Sequence, residues 1–483
     1  MNAPALDLAT ALIVLPGGRA AVADGAGSRA ASPEEARALF EAGPVLLAHA
    51  AMTARRLGLY APPRSARLFD LLELFAFARP ARFCAPSAVG LARAAGLAEP
   101  RDAPSQAVAL RAVAGLLLVE LAASPTPSRE EALALAETLG RAGWAWAAAV
   151  IGALRSAPLG RTWRSAGLDV WGRLAEWEDQ APPGEAGSKP IDPAAAAERL
   201  AQLLARSGLD EARPMQAVFA AEAAHAFQPR MREGEPMMML AEAGTGIGKT
   251  LAYLAPASLW AEANGPGVWV STYTRALQRQ IERESHAVFP DPATRARKAV
   301  VRKGRENYLC LLNFQEAANA AMLGAGDLIG LGLAARWVRA TRDGDMTGGD
   351  FPAWLPTLFA VGPAAQASAA NLVDRRGECV HAGCPHYRAC FIEKAVRASR
   401  GADLVIANHA LVLTHAAFDG ARAARGRGGD IETSTPRRIV FDEGHHLFDA
   451  ADSAFSAVLS GAEAAEMRRW IRGPEGRGRR GRG

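Results

Sequence analysis

Cysteine is scarce, with five residues in a chain of 483. So few thiols in so long a chain exclude a disulfide framework and point to metal or redox chemistry instead. Long apolar runs are missing as well. Leu6 to Leu15 is mostly apolar but too short to span a bilayer, and no basic residue precedes it as in a secretory signal. A cytoplasmic chain with no membrane partner is the expectation. No internal repeat is present, which sets repeat architectures aside. Neither sign of charge dominates. Lys and Arg number 55 against 50 Asp and Glu, a formal charge of +5, and the pI is about 9.1. Such a mild basic excess permits nucleic-acid binding without establishing it.

Half of the residues are hydrophobic, enough for sizeable cores, and the length suits about three domains. Residues 1–178 are Ala- and Leu-rich and mainly helical in pattern, with Ala11–Leu15 and Val45–Leu47 as short strands. Ser32-Pro33-Glu34-Glu35 starts a helix, with an N-cap, Pro at N1 and Glu at N3. Ser128-Arg129-Glu130-Glu131 reads as a second start. Residues 179–191, rich in Pro and Gly, form a linker, after which Asp192-Pro193 caps a new helix.

The densest chemical signal is Ala241-Glu242-Ala243-Gly244-Thr245-Gly246-Ile247-Gly248-Lys249-Thr250. The apolar run Met237–Leu240 leads in as a strand and a helical pattern, Leu251–Trp260, leads out. That order is a phosphate-binding loop, with Ala243 where the strict pattern has Gly. Glycines let backbone N–H groups close around phosphate oxygens, and the helix N-terminus adds partial positive charge. Lys249 then reaches the β- and γ-phosphates of ATP, and the Thr250 hydroxyl joins the Mg2+ shell. Residues 243–250 are therefore the nucleotide-binding set.

Further βα units follow. Val268–Val270, Leu404–Ile406 and Ile439–Phe441 are strands, and Arg275–Glu284 is a helix. Alternation of this kind predicts an α/β fold with a parallel sheet and ligands at its carboxyl edge. The last strand ends in Asp442-Glu443-Gly444-His445. Asp442 suits the magnesium shell, Glu443 suits positioning of the attacking water, and His445 suits coupling of nucleotide state to neighbouring segments. The pattern breaks between residues 301 and 395, which read as an insertion. Cys310, Cys379, Cys384 and Cys390 lie inside it and can hold a [4Fe–4S] cluster or a structural zinc ion; spacing alone leaves both open, and His381 and His386 keep Zn2+ in play. Cys84 lies apart and reads as a buried apolar thiol.

Several segments together resemble one family. Asp-Glu-x-His after an apolar strand is the superfamily 2 helicase signature, with Gly444 where Ala is usual. The run Val270 to Gln280 looks like the family's motif Ia, which grips the DNA backbone. Lys303 to Cys310 looks like the entry to an iron–sulfur domain. Asn408-His409-Ala410-Leu411 resembles the segment before the acidic box, and Gln216, in Arg213-Pro214-Met215-Gln216, matches the upstream glutamine that reads adenine. Over about residues 210–470 the chain is thus similar to the DinG/XPD-like iron–sulfur DNA helicases, closer to the bacterial DinG branch.

The resemblance implies a RecA-like sheet (residues 192–300 and 396–450) and a [4Fe–4S] cluster in the insertion, 301–395, that helps to part the strands. It also implies ATP-driven movement 5′ to 3′ along single-stranded DNA or a forked duplex. Thr272, Thr274, Arg275 and Gln278 are the DNA-contact candidates, joined by Arg302, Lys303, Arg305 and Tyr308. The amino-terminal part faintly resembles a DEDD-type exonuclease through residues 45–54, but Ala54 stands where a metal-binding Asp is needed. No Asp-x-Glu follows the first strand either, so a degenerate, non-catalytic domain is expected. Asp70 and Glu73 then read as surface or capping acids, and His49 as a structural histidine.

Nothing after His446 matches the family's Ser-Ala-Thr or late arginine motifs. Residues 451–483 look like the start of the family's arch insertion, with a helix over 456–471 and a Gly/Arg-rich end. A chain without the second motor domain is the expectation, with slow hydrolysis on its own. A non-catalytic ATP- and DNA-binding fragment, or one subunit of a split motor, is the alternative. The sequence sets no oligomeric state.

Overall fold

The computed structural model describes residues 9–456, apart from 64–65, 159–165, 179–186, 210–212, 233–234, 325–326, 359–371, 375–378 and 425–437, together with 459, 461, 464, 467–468 and 471. The expected Gly/Arg-rich end and most of the linker and of the helix over 456–471 lie outside these residues. The chain divides into two compact units, one of Met1–Asp179 with Gly304–Lys394 and one of Gln180–Lys303 with Ala395–Gly483.

The first unit holds a five-stranded mixed sheet ordered β3-β2-β1-β4-β5, with β1 Thr10–Val14, β2 Ala20–Ala23, β3 Ser28–Ala31, β4 Val45–Leu47 and β5 Leu68–Asp70. β1, β2 and β3 run antiparallel, while β4 and β5 run parallel to β1. The pattern predicts only β1 and β4. β2 and β3 read Ala-Ala-Val-Ala and Ser-Arg-Ala-Ala, nearly without the β-branched and aromatic residues that mark strands. Ser32 caps the first helix, its Oγ accepting from the Glu35 N–H at 3.1 Å. The helix expected from Ser128 begins earlier, at Thr126.

The helix Ala103–Ala123 is long and apolar enough to cross a membrane by length and composition. Here Leu110, Val113, Leu117 and Leu121 of that helix lie in the core. Arg111 within it donates to the Ala9 carbonyl at 2.7 Å. The same core continues into the inserted segment: Leu309, Phe314, Leu333, Trp337 and Trp354 cluster with Phe75, Phe77, Leu139 and Trp144. Arg339 pairs with Glu131 at 3.0 Å, and Trp354 Nε1 donates to the Cys84 carbonyl at 2.9 Å. The insertion therefore shares a core with the amino-terminal part. Cys84 is buried, and burial pushes its thiol up to about 12. Asp70 is a cap, as expected, with Oδ1 accepting from the Leu72 N–H at 3.0 Å. It is not a surface acid, being 2% exposed.

The second unit carries a parallel four-stranded sheet ordered β7-β8-β6-β9, with β6 Val268–Thr272, β7 Ala299–Val301, β8 Leu404–Asn408 and β9 Arg438–Phe441. Together with the helices Lys249–Asn264 and Arg275–Val288 this is a mixed α/β unit consistent with a RecA-like fold. Asp192 caps the helix Pro193–Arg206, accepting from the Ala194 N–H at 3.0 Å. One expected strand is not in the sheet. Met237–Leu240 forms no strand, and Met238 and Leu240 are exposed. Three unbranched methionines have little of the β-branched character that favours a pleated ladder, and among the described residues β9 has a sheet neighbour on one side only.

Candidate nucleotide and nucleic-acid site

The carboxyl ends of β6, β8 and β9 converge on the amino end of the helix Lys249–Asn264. Gly246 and Gly248 both adopt φ of +84°, a left-handed conformation that costs a glycine nothing. A Cβ at Gly248 would meet Gln216 Nε2 at 2.4 Å and push that side chain aside, while the backbone angle is what calls for glycine. Gln216 Nε2 donates to the Gly248 carbonyl at 2.8 Å. Its Oε1 is buried without a hydrogen-bond partner. Gly244, Thr245 and Gly246 are exposed, Ile247 is half-buried and Thr250 is buried.

Lys249 Nζ lies 3.4 Å from Glu443 Oε1 and donates to the Ala243 carbonyl at 3.3 Å. Asp442 is fixed through its N–H to the Ser271 carbonyl at 2.7 Å. Burial, then the neighbouring Glu443, raises its carboxyl above the ordinary range, against the pull of Lys249. Residues almost two hundred positions apart thus meet at one edge. His445 Nδ1 is 3.5 Å from the second Glu443 oxygen. Glu443 itself has φ of +56°, a strained setting for a residue with a Cβ and one that clusters at functional sites.

Glu284 was not foreseen. Burial raises its carboxyl while Gln280 and Thr250 favour the charged form, and it in turn adds to the rise at Asp442. Its signal in the sequence is only its place in the last turn of the helix Arg275–Val288, three turns from the strand tip.

The DNA-contact candidates divide by exposure. Thr274 and Arg275 are exposed, and Thr274 caps the helix Arg275–Val288, accepting from the Leu277 N–H at 3.2 Å. Thr272 and Gln278 are buried, and Thr272 Oγ1 is 3.5 Å from Asp442 Oδ2. Arg302 is buried and donates to Ser399 Oγ at 3.0 Å. Tyr308 is buried, and Arg305 pairs with Asp374 at 2.5 Å. Arg302, Arg305 and Tyr308 thus support the fold of their own units.

In the first unit, Cys310 and Cys390 each stand immediately before a helix. Burial pushes the Cys310 thiol up to about 11 and raises that of Cys390 as well, partly offset by backbone N–H groups of Asn313 and Leu312 at the first and of Glu393 and Ile392 at the second. Cys379 Sγ accepts from the His381 N–H at 3.3 Å. Four half-buried thiols, three of them with backbone N–H donors, fit a thiolate-held centre in residue type. Among the described residues, however, no three His, Cys, Asp or Glu side chains are gathered as metal ligands. His386 is engaged elsewhere, with Nε2 2.7 Å from Gln315 Oε1.

Residues 222–315 match the DEAD/DEAH box helicase family. The chain is 32% identical over 242 residues to the ATP-dependent DNA helicase YoaA of Escherichia coli, covering 49% of this chain and 34% of that protein. It is 32% identical over 235 residues to the ATP-dependent DNA helicase DinG of Photobacterium profundum, covering 46% and 31%. It is 29% identical over 237 residues to the 3′-5′ exonuclease DinG of Bacillus subtilis, covering 46% and 23%. The chain spans about a third of the length of the first two relatives. The chain thus shares part of a DEAD/DEAH box helicase domain and, over about half its length, is homologous to the DinG and YoaA helicases.

Proposed function

We propose that the chain binds and hydrolyses ATP as the first motor half of a DNA helicase, and that hydrolysis drives movement 5′ to 3′ on single-stranded DNA. The observation that carries this is the meeting of Lys249 with Glu443 at 3.4 Å, beside Asp442 at the carboxyl edge of a parallel sheet. Lys249 leaves Glu443 for the β- and γ-phosphates when ATP enters, which frees Glu443 to orient the attacking water. Thr250 and Asp442 would hold magnesium, which supplies charge neutralisation at the phosphates. The partnerless Oε1 of Gln216 is an acceptor suited to an adenine amino group. Thr274 and Arg275 present the exposed donors for the strand backbone.

In the full chain, Lys249→Ala should weaken binding of a fluorescent ATP analogue by at least about tenfold, a loss of about 1.4 kcal/mol or more. Glu443→Gln should keep binding and lose hydrolysis measured with oligo-dT by about a hundredfold or more. Unchanged nucleotide affinity in Lys249→Ala would refute the site. Binding without any hydrolysis under saturating oligo-dT would make the chain an ATP- and DNA-binding module instead.

We further propose that Cys310, Cys379, Cys384 and Cys390 hold a [4Fe–4S] cluster, which would brace the inserted segment. The four half-buried thiols of the inserted segment support this reading by residue type, because cysteine thiolates are the ligands such a cluster takes. Anaerobically prepared protein should show a broad visible absorption band and about four irons per chain, and Cys384→Ser should abolish the band. A colourless, zinc-containing protein would overturn the assignment.

A further inference from the structure

The turn that carries Glu443 is tied to the strand-contact segment by an aromatic stack. The ring of His446 lies on the ring of Tyr273 with centroids 4.0 Å apart and planes 13° from parallel. His445 lies 4.0 Å from His446 and also reaches Glu443. Below the stack, His409 is wholly buried. Its Nδ1 is 2.7 Å from Ser271 Oγ, and its ring packs near Phe441 and Tyr273. The floor is therefore fixed by the tips of β6, β8 and β9, while the upper layer, Tyr273 on His446, is open: Tyr273 is 42% exposed. Tyr273 directly precedes the exposed Thr274 and Arg275.

An exposed tyrosine face beside backbone-binding groups is the kind of platform on which single-stranded bases stack. One face of the ring is taken by His446. A base on Tyr273 and the imidazole of His446 compete for it, and His446 belongs to the same strained turn as Glu443. We infer that Tyr273 is a nucleobase-stacking residue, and that exchange of His446 for a base on its ring couples strand binding to the position of Glu443. The inference rests on the ATP- and DNA-binding function proposed above and names the link between its two ligands. His446 is the positioning residue in it, distinct from His445.

Coupling of this kind is reciprocal, so it is read as the ratio of oligo-dT affinity with and without a non-hydrolysable Mg–ATP analogue, using the full chain. The wild type should show a ratio of about fivefold or more. His446→Ala and Tyr273→Ala should bring the ratio close to one while leaving analogue affinity measured without DNA within about twofold. His446→Phe and Tyr273→Phe, which keep a stacking ring, should retain it. Melting temperatures within a few degrees of wild type show that a lost ratio is not lost folding. A wild-type ratio of one, an unchanged ratio in both alanine variants, or failure of both phenylalanine variants to retain it would overturn the inference. Loss of analogue affinity in Lys249→Ala is the independent check on the nucleotide site. If that variant binds normally, the function proposed above fails, whatever the stack does.

Discussion

Asp70 shows what a single enclosed carboxyl does to stability. It ends β5, accepts from the N–H groups of Ala50 at 2.6 Å and Leu72 at 3.0 Å, and is nearly inaccessible. Burial raises its pKa to about 7, against the backbone donors, and Glu73 is raised as well, by burial and then by Asp70. A carboxyl whose folded value lies above its unfolded one favours folding most when it is protonated in both states. Its contribution is complete near pH 4 and is lost as pH rises towards 7. His49 acts oppositely, because burial lowers it to about 4, so its contribution falls as pH drops below about 6.5. Comparing wild type with Asp70→Asn isolates the carboxyl. The melting temperature of the wild type, relative to that variant, should fall between pH 4 and pH 8, and a flat difference across that range would refute it. The chemistry of such single residues was legible only where residue type dictates it. Gly248, Lys249, Thr250, Asp442 and Glu443 announce phosphate and metal chemistry at fixed spacing. The burial of Asp70, Thr272 and Gln278 and the stack of Tyr273 on His446 depend on tertiary neighbours, and no local pattern encodes them.

Elements were legible in proportion to their side-chain character. β6, β8 and β9 are built on Val-Trp-Val, Leu-Val-Ile and Ile-Val-Phe, continuous apolar runs that suit a sheet covered on both faces. β2 and β3 lack such runs; β2 forms on the ladder that β1 offers, and β3 forms in turn on β2. Met237–Leu240 shows the converse, since hydrophobicity alone suggests a strand where, among the described residues, no partner pairs with it. The inserted segment has its own test at this scale. Trp354 is almost fully buried, packs edge-on to Phe75 at 6.4 Å, and donates to the Cys84 carbonyl. Trp354→Ala leaves a large cavity and an unpaired carbonyl, and should cost the first unit about 3–5 kcal/mol. Urea unfolding followed by the remaining tryptophans measures this. The same variant should make Cys84 react with a thiol reagent that it resists in the wild type, since a buried thiol with a pKa near 12 is inert.

At the scale of the whole molecule, the order of segments along the chain is not the order of folding units. Composition places boundaries at the linker and around the insertion, yet the insertion shares its core with residues that precede the nucleotide-binding part. Sequence could not reveal this, because a shared core leaves no mark at either segment's ends. It carries a consequence for dissection. The segment Gly304–Lys394 contributes Phe314, Leu333, Trp337 and Trp354 to a cluster whose other members include Phe75, Phe77, Leu139 and Trp144. Arg339 pairs there with Glu131, and Arg336 donates to the Phe77 carbonyl at 2.9 Å. A chain beginning at Gly187 loses all of these partners and exposes the apolar faces they covered. The helices Leu311–Met322 and Leu328–Ala340 should then exchange their amide hydrogens at least about a hundredfold faster than in the full chain, as local stability of a few kcal/mol is lost. The sheet of β6 to β9 keeps its own core, so protection of its strands and affinity for an ATP analogue should stay near the full-chain values. Unchanged protection of the two inserted helices in the shortened chain would show that the insertion folds by itself and that the shared core contributes little to it.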